Sequence, residues 1–327
     1  MTYRTLRMLG IPLLAALVLA SCGSEPEDAD DANAESTLSI VASTNVYGDI
    51  AKAVGGDLVT VDSIITSSTQ DPHEYEATAQ NRLALDGADV VIKNGGGYDP
   101  FIDTLLDGAK GDAVVLDAVT ISGLAPEGTE KEGHEEEEGH EEEGHEEEGH
   151  DHIEGLNEHV WYDFHSVEKV AEELSHELGE LDPDNASTFE SNYEAFAEQV
   201  EGLEQAAADL KTVAGGKSVA ITEPVPVYLL TEVGLVNKTP AEFSEAVEEG
   251  ADVPPRVLRE TLDLFKGGDV AALAFNEQTA DSTTEQVRAA AEAANVPVVD
   301  FTETLPDGQS YAEWQQANID ALAAVFK

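Results

Sequence analysis

One stretch governs what this chain of 327 residues can become. Asp182-Pro183-Asp184-Asn185 is a helix-start signal and Gly215-Gly216 a stop. Between them Phe189, Tyr193, Phe196, Val200, Leu203 and Leu210 recur at helical spacing, which predicts one helix from Ala186 to about Val213. At about 1.5 Å per residue, ~28 residues extend roughly 42 Å. A helix of that length reaches across a whole domain, so it is expected to run from one lobe of the molecule to another.

The flanking segments share one grammar. Before the helix, strand candidates Leu38 to Ala42, Leu58 to Ile65, Ala88 to Ile92 and Ala113 to Leu116 alternate with helical patterns near Val46 to Val54, Arg82 to Leu85 and Tyr98 to Leu106. A further helix fits Ser166 to Leu178. After it, strands at Ser218 to Thr222, Val270 to Phe275 and Pro297 to Asp300 alternate with helices at Pro226 to Val233, Val257 to Phe265, Ser282 to Ala294 and Tyr311 to Phe326. The expected fold class is therefore α/β: two lobes, each with a mostly parallel sheet, joined by a rigid helix. Residues 37–181 form the first lobe, 182–214 the link and 215–327 the second lobe. The cleft between lobes is the expected ligand site.

The ends and one insertion stand apart from this body. Arg4 and Arg7 precede an almost wholly apolar run, Met8 to Ala20, too short for a comfortable bilayer span. Leu19-Ala20-Ser21-Cys22 resembles a bacterial lipobox, and Cys22 is the sole cysteine. Residues 1–22 thus read as an export signal ending at an acylated Cys22. Residues 23–36 read as an acidic tether. This places the protein outside the cytoplasm, lipid-anchored to the outer face of the cell membrane. The formal charge of −52 is concentrated in Glu25 to Glu35 and in Lys131 to Glu154. Such a field repels nucleic acid and draws cations.

Residues 122–155 break the α/β pattern with Gly, Glu and His. His134, His140, His145, His150 and His152 are set among glutamates in a degenerate Gly-His-Glu-Glu-Glu repeat. Neutral imidazole suits zinc, copper or nickel, and glycine lets several imidazoles gather on one ion. The tract is no metalloprotease motif, because His145 and His150 are five apart and point about 140° away from each other on a helix. Gly95-Gly96-Gly97 lacks the spacing of a phosphate loop. No nucleophile triad is evident, and the chain is expected not to be an enzyme.

Ligands of open α/β sheets bind beyond the carboxyl ends of the strands. Four polar residues sit there: His73 in Asp71-Pro72-His73-Glu74-Tyr75-Glu76, His159 in Asn157-Glu158-His159-Val160-Trp161-Tyr162-Asp163, Glu223 after the strand ending at Thr222, and Asp281 in Asn276 to Asp281. Singly, a loop histidine is more often a surface residue and a carboxylate more often caps a helix. Together, two imidazoles and two carboxylates suit Zn²⁺ or Mn²⁺.

These motifs resemble the metal-binding solute-binding proteins of zinc and manganese ABC importers, the cluster A-I family, over about residues 38 to 327. The first motif matches the family's first ligand segment. The second resembles Asn-Pro-His-x-Trp-x-Asp, with Glu158 in place of the usual proline. Thr222-Glu223-Pro224 resembles the third region. The Asn276 to Asp281 loop resembles the fourth, where either Asp281 or Glu277 can fall on the ligand position. The resemblance implies a monomer that captures an ion between the lobes and delivers it to an importer permease and its ATPase. A histidine tract is typical of the zinc members, whereas glutamate at the third position is more typical of manganese binders. Zn²⁺ is the expected cargo and Mn²⁺ the alternative. A surface metal buffer or adhesin on the same scaffold is the remaining reading.

Overall fold

The structure, a computed structural model, describes residues 37–68, 70–73, 75–126, 153 and 155–326. Its first sheet grows outward from β1 (Leu38–Thr44), whose residues from Ile40 onward are all buried. A strand covered on both faces reads as a continuous apolar run, as Ile40-Val41-Ala42 does before the buried Ser43 and Thr44. Helix α1 (Asn45–Gly55) leads to β2 (Val59–Ile65), and α2 (Ala79–Leu85) leads to β3 (Val90–Lys93). Then α3 (Pro100–Leu106), β4 (Val114–Asp117) and the short α4 (Ala118–Ser122) complete the unit. All pairings are parallel and the strand order is β2-β1-β3-β4.

A 3-10 turn at Val160–Tyr162 introduces α5 (Phe164–Leu181), capped by the Asp163 carboxylate on the Ser166 N–H at 3.0 Å. Helix α6 (Ala186–Ala214) follows, 29 residues long, as its spacing predicts. Phe189, Phe196, Val200, Leu203 and Leu210 face inward and Tyr193 is half-buried. Each fully buried side chain of this kind contributes roughly 1.5–3 kcal/mol. Helix α6 packs against α1 and α5 on one side of the molecule.

The second sheet repeats the first. It contains β5 (Ser218–Ile221), α7 (Val227–Glu232), β6 (Val236–Asn237), α8 (Ala241–Glu248), α9 (Pro255–Asp263), β7 (Leu273–Asn276), α10 (Ser282–Ala293), β8 (Val298–Phe301) and α11 (Tyr311–Phe326). Its parallel order, β6-β5-β7-β8, is the same permutation as the first. Both α7 and α11 pack on α6, so the long helix touches both halves. Strand β6 and helices α4 and α8 were not expected from sequence.

The halves are stitched by more than that helix. Asn45 exchanges hydrogen bonds with the backbone of Leu305, at 2.8 and 3.0 Å. The Tyr311 N–H donates to Asp49 at 2.7 Å. Tyr162 and Tyr311 hydroxyls donate to the carbonyls of Thr302 and Trp161, each at 2.7 Å. One apolar cluster runs from Ile40 and Val90 through α6 to Val219 and Phe301. The two sheets thus share a core instead of meeting at an open hinge.

Candidate metal site

In each sheet the strand order reverses between the first strand and its later neighbour: β1 and β3, then β5 and β7. That reversal opens a crevice at the strands' carboxyl ends. His73 lies on the loop after β2, its N–H held by Asp71 Oδ1 at 2.9 Å. Glycine builds the opposite wall. After β3, Gly95, Gly96 and Gly97 all have positive φ, so the chain folds back on itself. Asn94 and Gly95 N–H groups donate to the Asp99 carboxylate at 2.6 and 2.9 Å. This turn sets the Tyr98 ring 5.0 Å from that of His73 and 5.7 Å from that of His159.

His159 is oriented by Asn157. The Asn157 Nδ2 donates to the carbonyl of Pro224 at 3.1 Å, which leaves Oδ1 facing His159 Nδ1 at 2.7 Å. A carbonyl oxygen only accepts, so Nδ1 carries the proton and Nε2 keeps its lone pair for an ion. Because Pro224 follows β5, the same amide ties the lobes together. Trp161 packs 5.0 Å from the His159 ring.

Ligand atoms of His73, His159 and Glu303 lie within 4.8 Å of one another, and all three residues are buried. Donors about 2.0–2.2 Å from a tetrahedral zinc ion stand roughly 3.3–3.6 Å apart. These atoms therefore close by at most about 1.5 Å around an ion. Glu223 stands beside them at the end of β5, also buried. Asn276, at the end of β7, forks between the two carboxylates: its Nδ2 donates to Glu223 Oε2 at 2.5 Å and to Glu303 Oε1 at 2.7 Å. Thr279 donates to Glu223 as well, and Tyr98 donates to Glu303 Oε2 at 3.2 Å. The backbone beneath is fixed by Gln278, which spans from the Gln70 carbonyl to Thr304.

Burial dominates the electrostatics. It pushes Glu223 up to about 7, although Thr279 and Asn276 pull back. It pushes Glu303 up to about 8, with repulsion from Glu223 adding to it. Glu248, the last residue of α8, is raised to about 10 by burial and by Glu158, Glu223 and Glu303. Among the described residues, no lysine or arginine ion-pairs with Glu223, Glu248 or Glu303. The fold concentrates negative charge and supplies no cation of its own, which is what a cation site requires.

Asp281 takes another role than the one expected. Its Oδ1 accepts the N–H groups of Thr283 and Thr284, at 2.8 and 2.7 Å, as the cap of α10. These bonds hold it below the usual carboxylate range despite the opposing effect of burial. It is exposed and stands outside the cage, as is Glu277. Glu303, instead, is the carboxylate grouped with His73 and His159. The signal was available: Glu303 follows β8 by two residues, at a strand's carboxyl end like the others. Cys22, His134, His140, His145, His150 and His152 lie outside the described residues. The open groove of about 710 Å³ near Asp163, His165, Glu198, Glu201, Glu204 and Glu232 contains no member of the cage.

Paired parallel sheets spanned by one helix, with imidazoles and carboxylates enclosed where the halves face each other, define a metal-binding protein of the cluster A-I class. The model of the ZnuA family, described as zinc-uptake complex component A, periplasmic, matches residues 40–325, and the chain belongs to that family. It is 24% identical over 335 residues to the manganese ABC transporter substrate-binding lipoprotein ScaA of Streptococcus gordonii, covering 97% of each chain. It is 27% identical to the zinc-binding lipoprotein AdcA of Streptococcus pneumoniae over 94% of this chain and 58% of AdcA. The periplasmic zinc-binding protein TroA of Treponema pallidum shares the fold, with a TM-score of 0.69 at 17% identity over 89% of this chain and 99% of TroA.

Proposed function

We propose that this chain is the extracytoplasmic substrate-binding lipoprotein of an ABC importer. It captures Zn²⁺ in the cage of His73, His159, Glu303 and Glu223 and delivers it to the membrane permease. The observation that carries this reading is the buried convergence of His73, His159 and Glu303 within 4.8 Å, beside Glu223. Two nitrogen and two oxygen donors match a four-coordinate zinc ion, and zinc outcompetes manganese at such mixed sites. Having Glu223 and Glu303 rather than a third imidazole favours a second reading, in which the cargo is Mn²⁺.

The ion arrives hydrated and exchanges water for ligands. Glu223 and Glu303 release their protons, because ligating carboxylates must be charged. Asn157 keeps His159 Nε2 aimed inward, and Asn276 places both carboxylates. Acylation at Cys22 holds the protein on the outer membrane face beside the permease. The protein acts as a carrier, not an enzyme, and works as a monomer. Crystals grown with equimolar Zn²⁺ and Mn²⁺ test this by anomalous maps across both absorption edges. Zinc density between His73, His159 and Glu303 is expected. Manganese there favours the second reading, and an empty cage defeats both.

A further inference from the structure

A second ligand set overlaps the first. Ligand atoms of His73, Glu158 and Glu248 also lie within 4.8 Å of one another. Glu158 sits in the first half, its carbonyl pinned by Asn94 Nδ2 at 2.9 Å. Glu248 ends α8 in the second half, so this set also bridges the molecule. Glu248 Oε1 is enclosed and accepts no hydrogen bond among the described residues. It points at His159 Nδ1 from 3.6 Å, on a side chain 9% exposed. An enclosed carboxylate oxygen with no donor is costly unless a cation visits it.

Exposure orders the two sets. Glu248 at 9% and His73 at 8% stand nearer solvent than Glu158 and Glu223, both at 3%, and than His159 and Glu303, each at 1%. An ion coming from solvent therefore meets the His73–Glu248 side before the deeper pair. We propose that His73, Glu158 and Glu248 form an outer divalent-cation subsite that shares His73 with the cargo cage and passes the ion across it. This rests on the reading of His73, His159 and Glu303 as the cargo cage. Only ligand and proton exchange is involved: water leaves the ion and a proton leaves Glu248 as Glu158 and Glu248 bind, then Glu248 regains a proton and Glu303 gives one up as His159 and Glu303 take over.

A subsite on the path lowers the barrier in both directions and leaves the end states alone. Stopped-flow tryptophan fluorescence of the mature protein reads the cage, because Trp161 borders His159. With Zn²⁺ alone as probe for entry and a chelator for exit, Glu248→Gln, whose amide cannot become an anionic ligand, is expected to slow both by about tenfold, the lower end of what losing a supporting group costs a metal site. The equilibrium Kd at the cage stays as in the wild type. Glu248→Asp keeps the charge but withdraws the carboxylate by one methylene, and it is expected to be slow as well. Wild-type rates in Glu248→Asp would reduce Glu248 to long-range attraction and overturn the subsite. So would a weakened Kd with unchanged entry, which makes Glu248 a support of the cage only. Matching circular dichroism melts show that the variants fold. His159→Ala separates the two ideas: if it keeps wild-type amplitude and Kd, the cage itself is wrong and the subsite falls with it.

Discussion

The metal-free protein should lose stability as pH rises, and Glu303 allows the size of that loss to be worked out. Its carboxyl moves from the ordinary 4.5 to about 8 on folding. Between those values the folded state holds a proton that the unfolded chain has released. Stability from this group is therefore fully present below about 4.5 and drains away as pH climbs through about 8. Each pH unit of that window is worth about 1.4 kcal/mol, so from pH 5 to pH 8 Glu303 alone removes about 3 to 4 kcal/mol. The perturbation is Glu303→Gln, which keeps the shape and the hydrogen-bonding capacity but not the titration. Chelator-treated wild type and variant are unfolded in urea at pH 5, 6, 7 and 8, followed by circular dichroism. The wild-type curve should fall more steeply than the variant's by about 3 to 4 kcal/mol over the range, and bound metal should reverse the difference. Parallel curves for the two proteins would refute the argument that burial holds a proton on Glu303.

Other outcomes follow from the same geometry. Titration calorimetry near pH 7 in buffers of different ionisation heat should reveal about one proton or more released per ion bound, because Glu223 and Glu303 are raised to about 7 and 8; a buffer-independent heat would contradict this. Asp281→Asn should lower stability by about 1 kcal/mol or less through the α10 cap and leave metal affinity unchanged; a large loss of affinity would return Asp281 to the ligand set. Asn157→Ala and Asn276→Ala touch no ion but should weaken affinity about 10- to 100-fold, since each orients a ligand. Gly96→Ala forces a Cβ within 3.0 Å of Val119 and 3.1 Å of Leu156 at a φ of +68°. It should lower stability by about 1–3 kcal/mol in thermal unfolding.

Much of the fold could be read from sequence because local pattern and tertiary role agree. The apolar positions of α6, and the alternation that gives β1 to β5, β7 and β8, point to the same answer at every level. Strand β6 escaped because two residues, Val236 and Asn237, carry no period. Helix α8 escaped because Phe243 and Val247 alone mark its inner face among polar residues. The candidate site residues divide in the same way. His73, His159 and Glu223 sit in the crevice side by side, where strand-end logic puts them. Asp281 satisfied that logic too, but Ser282, Thr283 and Thr284 after it carry the grammar of a helix start, and backbone N–H groups claimed its carboxylate. Glu303 stood after β8 without a motif of its own, and what recruits it is Asn276, 27 residues away in the chain. Glu248 reaches the site only through the packing of α8, which no local pattern encodes.

The tyrosine and asparagine ties across the molecule have a consequence for whatever meets this protein next. A carrier whose halves are sewn together by a common interior has little outline to change between full and empty. What changes, under the proposed capture, is its local charge, as protons leave two acids and a doubly positive guest takes their place. Any machinery that must tell a loaded carrier from a spent one has to sense that exchange, through field and surface loops, more than through silhouette.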